Sequence, residues 1–177
     1  MAVTKITASM LQPLRGKKRW AYLARARTIR VATTNEDGSI YLSPLWMVVH
    51  EEKLYIPVDA ASRHAVNFEA ERPLAALVDA GDEYATVSGV RIIGKMRVVD
   101  DPEMVEHLQD LVFEKYFGPD HPYAESYFEF GEWAGRQYFE LVAEKMIGWD
   151  MREITTIAVP EARTLPAHVT DRLINGN

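Results

Sequence analysis

The amino-acid sequence predicts an α+β domain in which six antiparallel strands, curled into a small barrel, are flanked by three or four short helices. Three observations lead there. Short β-branched or alternating runs succeed one another between residues 28 and 59 with turn residues between them. A later apolar run over residues 84–99 is too long for an ordinary strand, and Gly89 and Gly94 fall where such a strand can bend around a barrel. The βαβ alternation that builds a doubly wound parallel sheet is absent. With 177 residues, 47% of them hydrophobic, the chain can bury one core, so residues 1–177 are read as one domain.

Residues 1–27 form an N-terminal helical segment in this reading. Leu11, Leu14, Trp20 and Leu23 recur at roughly helical spacing, with Ser9 as an N-cap and Pro13 in the first turn. Within it, Arg15-Gly16-Lys17-Lys18-Arg19 places four positive charges in five residues, which on composition alone is a solvated helix face. Residues 28–34 are a strand. The turn Asn35-Glu36-Asp37-Gly38 returns the chain into a second strand over 40–50, and Glu51-Glu52-Lys53 leads to a third over 54–59, completing a three-stranded antiparallel meander.

Ser62 caps a short helix over 63–71, stopped by Pro73, and a fourth strand covers 74–79. After the turn at 80–83 comes the long strand 84–99. Asp101-Pro102 opens a helix with the aspartate as N-cap and proline at the first position; Val105, Leu108, Leu111 and Val112 share its apolar face, and Gly118-Pro119 ends it. A second helical stretch lies within 123–135, and a last strand covers 137–149. Residues 153–177 form a weakly patterned tail.

Composition removes several kinds of function. Without cysteine there is no disulfide framework, thiolate catalysis or cysteine-ligated metal centre. A net charge of −6 argues against a nucleic-acid partner. No run of eighteen apolar residues crosses a membrane, and the first eighteen residues contain no apolar signal core, so a cytoplasmic protein is expected. The glycine-rich phosphate cradles and H-E-x-x-H are missing. Glu103 and His107 stand four apart on a helix, but decoration of an exposed face explains them better than a metal does. Ser88 lacks the glycine two residues earlier that a nucleophile elbow needs, and Asp100-Asp101 fit capping. The expectation is no metal and no catalytic side chain: the reactive atoms of any enzyme here belong to a cofactor.

Some residues nonetheless point to a ligand. Pro44, within Tyr41-Leu42-Ser43-Pro44-Leu45-Trp46, interrupts a strand ladder, either as a bulge or to leave neighbouring backbone groups free. Arg63 and His64 in the first turn after Ser62 oppose the helix dipole. An anion such as a phosphate would resolve that conflict, and so would two side chains splayed into water. Arg91, Lys95 and Arg97 share parity and therefore one side of a strand, where they coat a solvent face or lend one member to the anion site. Ten of the 18 aromatics fall between Phe113 and Phe139, a density that suggests a dimer interface or a wall over a planar ligand. Trp149 and Arg152 put a flat ring and a cation side by side.

Three runs then stand in order: D-G-x-x-x-x-S-P-x-W from Asp37, S-R-H-A-V-N-F-E-A-E-R-P from Ser62, and V-x-G-V-R-I-I-G-K-M-R-V-V-D-D from Val87. With this order and spacing the chain resembles the FMN-binding split-barrel superfamily, which includes pyridoxamine 5′-phosphate oxidase-like proteins and flavin or deazaflavin oxidoreductases. The resemblance covers about residues 28–152 and implies a six-stranded split barrel, a homodimer and two cofactor sites at the subunit interface. It implies that Ser62, Arg63 and His64 hold the cofactor phosphate, with Asn67 supporting that turn. Ser43, Pro44, Leu45 and Trp46, with Val58 and Asp59, would line the ring, Lys95 would join the site, and Trp149 and Arg152 would come from the partner. Family members commonly have lysine where this chain has His64. Leu42 and Met47 stand where true pyridoxamine phosphate oxidases carry basic residues, so that activity is not expected. The implied function is an oxidoreductase using bound F420 or FMN for hydride transfer with a small organic substrate. F420 is favoured because Arg15–Arg19 could meet its acidic tail. A non-catalytic carrier or sequestering protein for flavin, F420 or haem is the alternative.

Overall fold

The computed structural model describes residues 13–83 and 86–152. Their elements are α1 (Gly16–Arg25), β1 (Thr28–Thr34), β2 (Ile40–Trp46), β3 (Val48–His50), β4 (Lys53–Asp59), α2 (Arg63–Glu69), β5 (Leu74–Ala80), β6 (Ser88–Val98), α3 (Pro102–Tyr116), α4 (Ala124–Ala134) and β7 (Arg136–Asp150). The seven strands form one antiparallel sheet in the order β2-β1-β5-β6-β7-β4-β3. The fold class is therefore α+β with a curled sheet, as expected, with seven strands in place of six.

The extra strand arises at Met47. The expected strand 40–50 is two strands: β2 pairs with β1 at one edge of the sheet, and β3 pairs with β4 at the other. One residue joins opposite edges, so the sheet must curl until they meet, and the expected three-stranded meander does not form. Alternating burial along β1 (Ile29, Val31 and Thr33 inward) and β6 (Val90, Ile92 and Met96 inward) encloses a core with Met47, Leu54, Ile56, Phe68, Val78 and Phe139. A second cluster lies under α3, where Leu108, Val112 and Tyr116 pack on Val48, Tyr55 and Tyr138.

Other boundaries shift for local reasons. α1 starts at Gly16, whose φ of +48° suits glycine, with Arg15 as an N-cap that makes no side-chain cap bond; Ser9 lies outside the described residues. α2 stops at Glu69 because Glu71 turns left-handed, φ +47°, before Pro73. β6 begins at Ser88 because Thr86 and Val87 close a turn onto the Glu83 carbonyl. Its pairing with β7 jumps between Ile93–Lys145 and Gly94–Ala143, which leaves Glu144 as a bulge. A Cβ on Gly94 would run into the Val142 carbonyl at that bulge. The bulge residue is on β7, so β6 keeps its parity: Arg91, Lys95 and Arg97 stay on one exposed side. The tail 153–177 lies outside the described residues. Among the described residues, no helix is long and apolar enough to cross a membrane.

Candidate functional site

The hairpin of β1 and β2 and the first turns of α2 bring together residues that the sequence places in separate motifs. Ser43 and His64 are 21 residues apart, yet Ser43 Oγ lies 2.5 Å from His64 Nε2. His64 is only 3% exposed, between the rings of Tyr41 (centroids 4.8 Å apart) and Phe68 (5.4 Å), and its Nδ1 is buried without a partner. Burial pushes its pKa below the ordinary 6.5, so at neutral pH the imidazole is uncharged. It can order the Ser43 hydroxyl but brings no charge to an anion.

Asn67, also buried, donates from Nδ2 to Thr33 Oγ1 at 2.9 Å and to Asn35 Oδ1 at 3.0 Å, which ties α2 to the end of β1 and to its turn. Ser62 accepts the Ala65 N–H at 3.1 Å as the N-cap and keeps its own proton to donate. Arg63 is exposed, and its charge contributes to holding the Asp37 carboxyl below the usual range, behind the larger effect of hydrogen bonds from Ser39. Pro44 sits opposite Arg30 on β2, an edge strand, where a missing N–H breaks no sheet interior.

The expected ring-lining residues divide. Leu45 is half-buried against the main core, and Val58 is inside it. Asp59 is held by Arg136, whose Nε and Nη2 lie 3.0 and 2.9 Å from the same carboxylate oxygen. Arg136, its side chain 10% exposed, stacks 3.9 Å above the Tyr127 ring and donates Nη1 to the Tyr127 carbonyl. Gly131 makes room for it, since a Cβ there would stand 2.7 Å from Nη1. Trp46 is stacked on Tyr116, centroids 4.2 Å apart and planes 6° from parallel, with Phe117 and Tyr127 beside it. One face of the indole is thus covered by its own chain.

Lys95 lies 3.6 Å from the Glu71 carboxylate, just beyond α2. Trp149 and Arg152 are elsewhere. The Trp149 ring occupies the space a Cβ on Gly89 would need, and Arg152 grips the buried Asp150 at 2.8 and 3.0 Å. β7, which carries Trp149 and leads into Arg152, is not paired with β2 in the sheet, and these contacts of Trp149 and Arg152 are with β6 and with the end of β7 itself. Sequence reasoning passes over Arg136, Lys115 and Tyr116. The signal for Arg136 is its place between the left-handed Gly135 and the strand. The other two sit in a helix with no local mark of their roles. Of the clustered aromatics, Tyr116, Tyr138 and Phe139 are buried, whereas Tyr123, Phe130 and Trp133 (82%) are exposed.

The arrangement can hold a flat anionic ligand: a cation and hydroxyl at Arg63 and Ser62, an oriented hydroxyl at Ser43, and a strand edge at β2 that, among the described residues, no further strand pairs with. Comparison with known proteins places the family and the fold. The family described as pyridoxamine 5′-phosphate oxidase matches residues 17–150. A conserved hypothetical protein from Mycobacterium tuberculosis is similar in structure, with a TM-score of 0.72 and 25% identity, over 93% of this chain and 99% of that one. The heme storage protein HutZ from Vibrio cholerae shares the fold, with a TM-score of 0.61, 14% identity and coverage of 75% and 94%. So does an FAD binding protein from Mycobacterium smegmatis, with a TM-score of 0.52, 12% identity and coverage of 81% and 93%. A comparison with curated protein sequences finds no match.

Proposed function

The chain belongs to the pyridoxamine 5′-phosphate oxidase-like FMN-binding split-barrel family, and from that premise we propose that it is an oxidoreductase that binds F420 or FMN and transfers hydride to or from a small organic substrate. The observation that carries the reading is the 2.5 Å approach of Ser43 to His64, which puts the S-P-x-W strand directly on the S-R-H turn. Ring and phosphate of one cofactor can therefore be served by adjoining residues.

The residues present fit such a group. Arg63 supplies the charge and Ser62 a hydroxyl donor for a phosphate, while the neutral His64 contributes only by fixing Ser43. The β2 edge around Pro44 offers its backbone to the polar rim of the ring. Met47 is fully buried and Leu42 is exposed, so neither position on this strand presents a cation to pyridoxamine phosphate. When bound, the cofactor supplies the hydride-accepting or hydride-donating atom. The chain's part is to bind, to orient and to exclude water. Lys95, which reaches Glu71 past the C-terminal end of α2, would meet a cofactor only at its periphery, and Trp149 and Arg152 would complete a neighbouring site across a homodimer.

The test is reconstitution. Apoprotein is mixed with FMN or with F420 and passed over a sizing column with light scattering. A coloured species of about twice 20.1 kDa is expected. A monomer that keeps its cofactor would overturn the shared site, and a colourless protein with either cofactor would overturn the oxidoreductase reading.

A further inference from the structure

Away from that site, the end of β3 meets α3 through two imidazoles. His50 Nδ1 lies 3.2 Å from His107 Nε2, with ring centroids 4.5 Å apart and planes at 71°. Between neutral rings that is one hydrogen bond. It is also the spacing a metal ion requires, since two nitrogens bound tetrahedrally at 2.0–2.1 Å stand about 3.3 Å apart. The two nitrogens come from different elements, and both side chains reach solvent: His107 is exposed, and the His50 side chain is 26% exposed.

The surroundings add to the geometry. Glu51 Oε1 lies 4.0 Å from His50 Nε2, the nitrogen that faces away from His107. At that distance it makes no hydrogen bond, but a rotation of the exposed Glu51 side chain would let it accept from Nε2–H, as second-sphere carboxylates do for ligating imidazoles. Glu51 and Glu52 form the β3–β4 turn with φ of +48° and +57°, a left-handed pair that elsewhere calls for asparagine and glycine. The hairpin thus adopts an unfavourable turn in a place that keeps a carboxylate beside His50. Among the described residues no group of three potential ligands converges, so the protein offers two ligands and water completes the sphere.

We propose that His50 and His107 form a two-histidine site for a divalent late first-row transition ion of the zinc, nickel or copper class, the ions that imidazole nitrogen suits. The ion ties the β3–β4 hairpin to the first half of α3, whose far end carries Lys115 and Tyr116 against Met47. The site is independent of the flavin reading.

The test uses metal-free full-length protein in a His121→Gln, His168→Gln background, which removes the other histidines apart from the buried His64. Calorimetric titration with Zn²⁺ and with Ni²⁺ should give one ion per chain. His50→Gln and His107→Gln should each weaken binding by about tenfold or more, and Glu51→Gln by a smaller factor. Saturating metal should raise Tm by about 3 °C or more in the background protein and leave the His107→Gln variant unchanged. Both histidines are at the surface, and far-UV circular dichroism confirms that the variants fold. Equal affinity in the background protein and the His107→Gln variant, or binding with no His50 dependence, reduces the pair to an ordinary hydrogen bond and overturns the site.

Discussion

The Tyr116 hydroxyl stands where a neighbouring strand would be for Met47: it accepts the Met47 N–H at 2.9 Å and lies 2.7 Å from the Met47 carbonyl oxygen. Met47 is fully buried and is the single residue between β2 and β3, so its backbone groups need partners that the sheet does not provide there. The hydroxyl also lies 2.6 Å from the Arg27 carbonyl, and Lys115 Nζ donates to the Met47 carbonyl at 2.8 Å. Burial pushes the Tyr116 pKa up to about 12, so it remains a donor throughout the working range.

Tyr116→Phe keeps the ring stacked on Trp46 and removes only the hydroxyl. It should cost about 2–3 kcal/mol, the penalty for leaving buried backbone groups short of a partner. Urea unfolding followed by tryptophan fluorescence measures it, with an unchanged m-value. A loss near zero would show that the elbow at Met47 is held by other contacts.

Lys115 titrates unusually. Burial, followed by the Arg27 charge, pulls its pKa from 10.5 to about 8. Between about pH 8 and 10.5 the folded chain has released this proton while the unfolded chain still holds it. The Lys115 contribution to stability therefore rises with pH across that window, and is unfavourable and constant below it. Lys115→Met should lack the rise. Comparing urea midpoints of the two proteins at pH 7, 8.5 and 10 isolates the difference; parallel curves would contradict it.

His64 has the same sign at lower pH. Its folded pKa lies below 6.5, so acid protonates the unfolded chain first, and stability falls as pH drops from about 6.5 toward the lowered value. His64→Gln, which retains a group able to reach Ser43, should lose less stability between pH 7.5 and pH 5 than the native chain. If the two lose the same amount, the buried imidazole is not the titrating group.

The limits of sequence reading are concrete in these residues. β1 and the Asp101-Pro102 helix start are local matters, set by side-chain alternation and capping, and they stand where the sequence puts them. The break at Met47 does not, because its partner is Tyr116, 69 residues later, and Pro44 draws attention three residues too early. Asp59 reads as part of the ring lining until Arg136 closes on it from β7, 77 residues away. His64 reads as a first-turn cation. Only the packing of Tyr41 and Phe68 around it makes it neutral. Each miss is a side chain whose state is decided across the sheet rather than along the chain.

Arg63 provides the most direct check on the cofactor site. It is exposed, so Arg63→Ala should leave the apoprotein's Tm nearly unchanged. Loss of a charge-assisted hydrogen bond to phosphate is worth about 1.5–3 kcal/mol, which is about 10- to 150-fold in affinity for F420 or FMN. Fluorescence titration of both proteins measures it. Unaltered affinity would return Arg63 to solvent.

The choice between cofactors turns on their far ends. FMN and F420 both present a flat tricyclic ring and a phosphate, so Arg63 and the β2 edge discriminate poorly between them; only F420 carries an acidic oligoglutamate tail. In the first turn of α1, Arg19 donates Nη1 to the Met146 carbonyl, while Lys17 and Lys18 are exposed. The charge of Lys18 also contributes to lowering the Asp150 carboxyl, behind the Arg152 hydrogen bonds, which places this lysine near the end of β7 that carries Trp149. That end is the part of the chain proposed to meet a cofactor across the dimer. An exposed lysine–carboxylate pair is worth about 0.2–1 kcal/mol and weakens with salt. Two or three such pairs reach the 1.4 kcal/mol or so that a tenfold preference requires. F420 should therefore bind more tightly than FMN at low salt, and the gap should narrow as salt rises. The double variant Lys17→Glu, Lys18→Glu should lower F420 affinity and leave FMN affinity nearly unchanged. Tighter FMN binding at every salt concentration, or an equal loss for both cofactors in the double variant, would make FMN the resident cofactor.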